Sequence, residues 1–204
     1  MNMDLTQLKT NTKQACTVLN RSAMTRLLVS KLTHGEAVIG GIGNNNFDLW
    51  ASGQREHNFY MLGSMGLTSA IALGVAIAQP ARRTYALEGD GSLLMQLGSL
   101  GTVAASGAEN LVIVVWDNGI YQITGSQPTL TGQAVDLVGA ARACGIEKSV
   151  WATSEDEFSR LIDLTRQEAG PWFIGVRVDG DKPAGVTERD PSKIRQRFMQ
   201  ALAS

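Results

Sequence analysis

Cysteine is nearly absent from this chain: among 204 residues only Cys16 and Cys144 occur, far apart and without a CxxC pair. That excludes a cysteine-ligated iron–sulfur cluster held by this chain alone and argues against a cysteine-rich zinc site. It fits a reducing, cytoplasmic compartment. Histidine is equally scarce, and neither His34 nor His57 has a partner at metal-ligand spacing, so a zinc site is unsupported. Surplus charge of one sign is missing too. A formal net charge of −1 gives no electrostatic reason to expect nucleic acid as a partner. No run approaches the ~18 uninterrupted apolar residues of a membrane span, so no membrane partner is expected. The stretch Met1 to Asn20 is polar and lacks the apolar core of a signal peptide.

Glycine, by contrast, is plentiful. The 22 glycines cluster at Gly40-Gly41-Ile42-Gly43, at Gly63 to Gly66 and at Gly89 to Gly91. Each cluster follows an expected strand, where the loops of α/β proteins meet ligands. Helical spacing of apolar residues predicts a helix from about Thr6 to Lys31. Short strands are expected at Ala37–Gly40 and Asn58–Leu62, with one helical turn at Phe47–Ser52 between them. Gly66 to Gln79 is apolar all round and ends at Pro80, which reads as a buried helix. Arg83–Glu88 is a strand, Ser92–Ser106 a helix with Gly107 as its C-cap, and Leu111–Trp116 an unbroken apolar strand of the kind covered on both faces. Asn118–Gln133 reads as a long functional loop. Val135–Ala143 and Glu155–Gln167 are helices around a strand near Glu147–Trp151, and Trp172–Val178 is a last strand. The alternation predicts an α/β fold, a doubly wound parallel sheet with helices on both faces. Residues 1–204 form one domain, with 1–33 an N-terminal helical segment and 189–204 a C-terminal helix.

Three phosphate-binding templates can be laid against the glycine clusters. No GxxxxGK string is present, which removes the P-loop, and both GxG candidates lack the third glycine of a dinucleotide fingerprint. The third template is Gly89-Asp90-Gly91-Ser92 followed 28 positions after Asp90 by Asn118, at the end of the next strand. A carboxylate and a carboxamide oxygen at neighbouring strand ends suit Mg²⁺, which takes one or two carboxylates plus ligand phosphates. Free amides at the start of the following helix favour a diphosphate beside the metal. The plain alternative is a Gly-Asp-Gly turn with Asp90 near a helix N-cap.

This pairing resembles the motif of thiamine diphosphate enzymes, and from about Val38 to Val178 the chain looks like their cofactor-diphosphate-binding (PP) domain. Phe59-Tyr60-Met61-Leu62-Gly63-Ser64-Met65-Gly66 and Gly125-Ser126-Gln127-Pro128-Thr129 are similar to segments of sulfopyruvate and phosphonopyruvate decarboxylases, and in length the chain resembles a separate beta subunit. The resemblance implies that Asp90, the Asn118 oxygen and the Ile120 carbonyl bind Mg²⁺. It implies that Gly89, Gly91, Ser92 and Tyr121 lie against thiamine diphosphate, with Asn44 and Asn45 touching the diphosphate from the other side. Met65 would wedge under the bent cofactor, and the Gly63–Ser64 backbone would meet its aminopyrimidine. A core methionine beside a buried helix is the alternative for Met65.

The same resemblance implies an incomplete site. The family's activating Glu sits on a second, pyrimidine-binding (Pyr) domain, for which this chain has no room. A partner alpha subunit carrying that domain is therefore expected, in a heteromeric assembly, with the chain inactive alone. The implied reaction is loss of CO₂ from a small 2-oxo acid bearing a sulfonate or phosphonate. Candidate polar contacts are His57, also a possible catalytic residue, with Tyr121, Gln122, Ser126, Gln127 and Thr129. His57 has the rival reading of an exposed loop histidine, and Arg82-Arg83 reads as a solvated turn. The rivals are a PP-domain subunit of an acetolactate synthase-like enzyme or a 2-oxoacid oxidoreductase beta subunit, or a non-catalytic cofactor-binding protein.

Overall fold

A computed structural model describes residues 11–33 and 35–203; the first ten residues, His34 and Ser204 lie outside it. In chain order the elements are α1 (Arg21–Lys31), β1 (Ala37–Gly40), α2 (Asn44–Ala51), β2 (Asn58–Tyr60), α3 (Thr68–Ala78) and β3 (Thr84–Gly89). There follow α4 (Asp90–Met95), α5 (Ser99–Ser106), β4 (Leu111–Asp117), a small hairpin of β5 (Ile120–Tyr121) and β6 (Gln127–Pro128), and α6 (Leu137–Ala143). The chain ends in β7 (Lys148–Ala152), α7 (Glu155–Gln167), β8 (Trp172–Arg177) and α8 (Pro191–Ala203).

Six strands form one all-parallel sheet in the order β2-β1-β3-β4-β8-β7. Every residue of β4 is buried, as its run of Leu, Val, Ile and Trp requires of a central strand with both faces covered. The alternation of side chains sorts the core into two layers. Val38, Tyr85, Leu87, Val112, Val114 and Ile174 meet α1, α2 and α7 on one face. Ala37, Ile39, Ala86, Ile113, Val115 and Phe173 meet α3, α5 and α6 on the other. The sheet is thus doubly wound, with helices on both faces. α8 closes the β2 edge: its Ile194 joins the first layer, its Phe198 packs on Phe59 in the second, and Arg197 donates to the Asn58 carbonyl. Covering an edge strand with a helix makes it a poorer template for another chain.

Several expected elements are shorter or broken. Of the helix expected over Thr6–Lys31, Thr6 to Thr10 lie outside the described residues; among the described ones the helix runs from Arg21, where Asn20 caps it by accepting from the Ala23 amide. Before it the chain makes a 3-10 turn at Lys13–Ala15 and then runs extended past the ends of β7 and β8, with Thr17 donating to Thr153 and Leu19 to Arg177. Those backbone pairings displaced the helix that local spacing favoured. Ser92–Ser106 is two helices, α4 and α5, interrupted at Gln96–Gly98, and Gly107 does cap the second with φ 64°. α2 has two turns rather than one. The apolar α3 is covered on one side only: Ile77 is 60% exposed, and Ala70, Gly74 and Ala78 face outward with it. Arg82 and Arg83 are not a solvated turn. They donate to the carbonyls of Gly35, Glu109 and Glu168 and tie the loops before β1 and β4 and the end of α7 together at the amino-terminal side of the sheet.

Candidate functional site

Strand order reverses between β1 and β3: the chain moves outward from β1 to β2, then returns to add β3 on the other side. Loops leaving the carboxyl ends of those two strands part there and leave a crevice, the usual place for a ligand in such a sheet. The cleft at this point is lined by Ile42, Asn44 and Asn45 after β1, by Glu88 to Ser92 around the end of β3, by Trp116, Asn118, Ile120 and Tyr121 to Thr124 after β4, and by Met65 and Arg21.

Two glycines make this approach possible. A Cβ on Gly41 would stand 2.7 Å from the Leu87 carbonyl oxygen, so only a hydrogen lets the loop leave β1 against β3. A Cβ on Gly91 would meet the Tyr121 ring at 2.4 Å, so the hairpin after β4 closes directly on the Gly-Asp-Gly turn. The loop holding Met65 is also tied to that turn, because the Gly66 amide donates to Ser92 Oγ at 2.8 Å. Ser64 takes a left-handed φ of 64° and Gly66 one of 90°, a tight reversal that presents Met65 to the cleft.

Asp90 is buried at the first position of α4. Its Oδ2 accepts from Thr129 Oγ1 at 2.5 Å and from Thr131 Oγ1 at 2.8 Å. Burial raises its pKa; the Thr129 hydrogen bond opposes this, and the nearby Asp117 charge adds to the rise. A cation beside it would reverse that balance. Asp117, also buried, is matched by the Lys13 ammonium at 2.7 Å, and its Oδ1 lies 2.9 Å from Thr131 Oγ1, whose single hydrogen serves either it or Asp90. Glu88 has no solvent exposure, takes the Ser69 amide and hydroxyl on Oε2, and is pushed up in pKa by burial. Asn118 accepts the Ile120 amide on Oδ1 at 3.1 Å and donates from Nδ2 to Gln122 Oε1 at 3.3 Å.

Asp90, Asn118 and the Ile120 main chain offer oxygen donors of the kind a hard cation prefers. Among the described residues no cluster of three or more His, Cys, Asp or Glu could cage a metal. A cation here would need further oxygens from a ligand, as Mg²⁺ does when it bridges to a phosphate. The donor set fits that group.

Of the candidates read from sequence, Asn44, Asn45, Met65, Gly89, Asp90, Gly91, Ser92, Asn118, Ile120, Tyr121 and Gln122 come together in the one cleft. Gly63 and Ser64 stand on the adjoining loop and are not among its lining residues. His57 does not reach it. It precedes β2, at the opposite end of the sheet, and its Nε2 sits 2.9 Å from the Ala201 carbonyl of α8. Ser126 and Gln127 are exposed on the hairpin, and the Thr129 hydroxyl is spent on Asp90. Sequence reading missed Arg21, Glu88, Asp117 and Lys13. Charges paired with partners as distant as Asp48 from Arg21 or Asp117 from Lys13 leave no local signal; the Glu adjoining Gly-Asp-Gly could have been weighed.

Comparison with known proteins bears on the same cleft. Residues 41–176 match the family described as thiamine pyrophosphate enzyme, C-terminal TPP binding domain. The sulfopyruvate decarboxylase subunit beta of Methanocaldococcus jannaschii is 33% identical over 86% of this chain and 93% of that protein. The phosphonopyruvate decarboxylase of Streptomyces viridochromogenes is 36% identical over 87% of this chain, which spans only 45% of that longer protein. The solved thiamine diphosphate-dependent 4-hydroxybenzoylformate decarboxylase of Rhodococcus jostii RHA1 superposes with a TM-score of 0.70 at 21% identity, covering 80% of this chain and 33% of that one; this likeness is one of fold.

Proposed function

Since this chain belongs to the thiamine pyrophosphate (thiamine diphosphate) enzymes as their C-terminal TPP-binding domain, we propose that it is the cofactor-binding subunit of a decarboxylase. Its substrate would be a small 2-oxo acid of the sulfopyruvate or phosphonopyruvate type, released as the aldehyde after loss of CO₂. The observation that carries this reading is the pairing of Asp90 and Asn118 across the carboxyl ends of β3 and β4 in a single cleft with Met65. The two relatives, matched over most of this chain, are named for those two substrates, one of them as a beta subunit.

In this proposal Asp90 and Asn118, with the Ile120 carbonyl, hold Mg²⁺, and Gly91, Ser92, Asn44 and Asn45 receive the diphosphate. When bound, thiamine diphosphate supplies the electron sink for the carbanion left by CO₂. The protein's part is geometry. Met65, presented by the reversal at Ser64 and Gly66, would bear on the cofactor, and the Ile120–Thr124 segment would wall the cleft against water. The carboxylate that activates the aminopyrimidine belongs to a separate Pyr-domain subunit, so the chain by itself does not turn over. A cytoplasmic setting agrees with the free thiols of Cys16 and Cys144.

The test is to titrate thiamine diphosphate and Mg²⁺ into the chain while following tryptophan fluorescence, since Trp116 is among the residues that line the cleft. Binding should require the metal and vanish in Asp90→Ala; unchanged affinity in that variant would mean the site is misplaced. Decarboxylation of sulfopyruvate or phosphonopyruvate should appear only when the Pyr-domain subunit is added, and full activity from the chain alone would sink the two-subunit reading.

A further inference from the structure

Asn118 can meet a cation only with its oxygen, yet a carboxamide can be turned either way in its site with little change of shape. We propose that Arg21, acting through Gln122, is a positioning residue that keeps the Asn118 oxygen toward the cation. The proposal rests on the reading that Asp90 and Asn118 bind Mg²⁺.

The argument is one of donors and acceptors. A guanidinium has five N–H donors and no acceptor. Arg21 Nη1 lies 3.2 Å from a side-chain terminal atom of Gln122, so that atom has to be the oxygen, Oε1. The other end of the Gln122 amide gives the same answer independently: Nε2 lies 2.5 Å from the Gly180 carbonyl and 3.1 Å from that of Asp181, both acceptors only. With Oε1 so fixed, the Asn118 atom 3.3 Å from it must be the donor, Nδ2. The Asn118 oxygen is then left on the other side, where the Ile120 amide donates to it at 3.1 Å. Turning the Asn118 amide over would set oxygen against oxygen at Gln122 and N–H against N–H at Ile120.

Arg21 is itself immobilised. It is 2% exposed, its Nε donates to Asp48 Oδ2 at 2.7 Å, and its Nη2 donates to the Asp181 carbonyl at 2.9 Å. Asp48 is fully buried, and its second oxygen takes Ser22 Oγ at 2.5 Å and the Ala184 amide at 2.7 Å. Polarity therefore passes from Asp48 to Arg21, to Gln122, to Asn118. Arg21 lies on α1, outside the 41–176 span of the family match. Outer partners of this kind set ligand orientation, and their loss typically weakens metal binding by about 10–100-fold.

The rival role for Gln122 is a tether for the segment at Gly180–Asp181, and two variants separate the roles. Gln122→Met loses both the acceptor and the donor; Gln122→Glu keeps an acceptor facing Arg21 and Asn118 but loses the tether's donor. The experiment is calorimetric titration of Mn²⁺ into the full chain saturated with thiamine diphosphate. Expected are a loss of affinity of about 10–100-fold in Gln122→Met and rescue by Gln122→Glu to within about threefold of the parent. Equal losses in both variants would show a tether and overturn the proposal, as would a Met variant within about threefold of the parent. Asp90→Ala is titrated alongside: if it binds Mn²⁺ as the parent does, or the parent binds none, the metal-site reading fails and the proposal goes with it.

Discussion

A single methylene added at two glycines should push stability in opposite directions, because one glycine sits in contact and the other in the open. At Gly41 an ideal Cβ lies 2.7 Å from the Leu87 carbonyl oxygen and 3.1 Å from Thr68 Oγ1. Carbon–oxygen contacts settle near 3.3 Å or beyond, so the end of β1 would have to move from β3 by roughly 0.6 Å. That motion strains the Gly41 amide bond to Leu87, now 2.8 Å. Overpacking costs about 1–3 kcal/mol and a weakened backbone bond about 1, for a total of roughly 2–4 kcal/mol. In a domain of this size each kcal/mol moves Tm by about 2–4 °C, which predicts a fall of about 4–16 °C for Gly41→Ala. At Gly74, inside α3, nothing lies within 4 Å of the new Cβ. There alanine should raise stability by about 0.8–1 kcal/mol, or ~2–4 °C. Thermal unfolding by circular dichroism reads both. Thiamine diphosphate affinity should fall only in Gly41→Ala, since the Ile42–Asn45 loop that follows it lines the cleft. A Gly41→Ala protein that melts and binds like the parent would refute the claim that close β1–β3 approach shapes the site.

Two further expectations concern groups away from the cleft. Burial raises the Cys16 thiol to about 11, whereas Cys144 is exposed, so native protein treated with iodoacetamide at mildly alkaline pH should be alkylated at Cys144 alone, with Cys16 reacting only after unfolding; labelling of both in folded protein would contradict the packing around Cys16. His57 has its pKa lowered, first by burial and then by the Arg82 charge. Its neutral form is the one the fold favours, so its contribution is present above about 6.5 and lost as pH falls through the lowered value. The drop in Tm from about pH 7.5 to about pH 5 should therefore be smaller in His57→Gln than in the parent; an equal drop would remove His57 from the edge-closing contact with α8.

Legibility differed between the sheet and its supports. The strand Leu111–Trp116 announced itself because full burial on both faces demands uninterrupted apolar residues, and the Gly-Asp-Gly turn did so because close approach demands glycine. Asp90 and Asn118 could be paired from spacing since adjacent parallel strands separated by helices place their ends side by side. The failures share a cause in distant partners. Thr6–Lys31 has helical spacing, but Thr17 and Leu19 found better backbone partners at Thr153 and Arg177. Thr129 read as a substrate contact because nothing local shows that it caps Asp90 from 39 residues away. His57 looked chemically able, and only the strand's direction shows that it lies at the wrong end. The outward face of α3 was unreadable for the opposite reason: an all-apolar helix carries no mark of which side is covered.

The ion pairs that Lys13 and Arg21 make with Asp117 and Asp48 bear on where the folding unit of this protein begins. Both cations precede residue 41, the first residue of the family match, and both carboxylates are buried after it. Removing one partner of a buried pair costs about 3–5 kcal/mol, against about 5–15 kcal/mol for an entire domain. Residues 41–176 are therefore not self-sufficient in this molecule: two of their buried carboxylates, Asp48 and Asp117, are paired with cations from the segment before them. A piece cut at residue 41 would leave both carboxylates buried without their cations, so the folding unit begins upstream of that match.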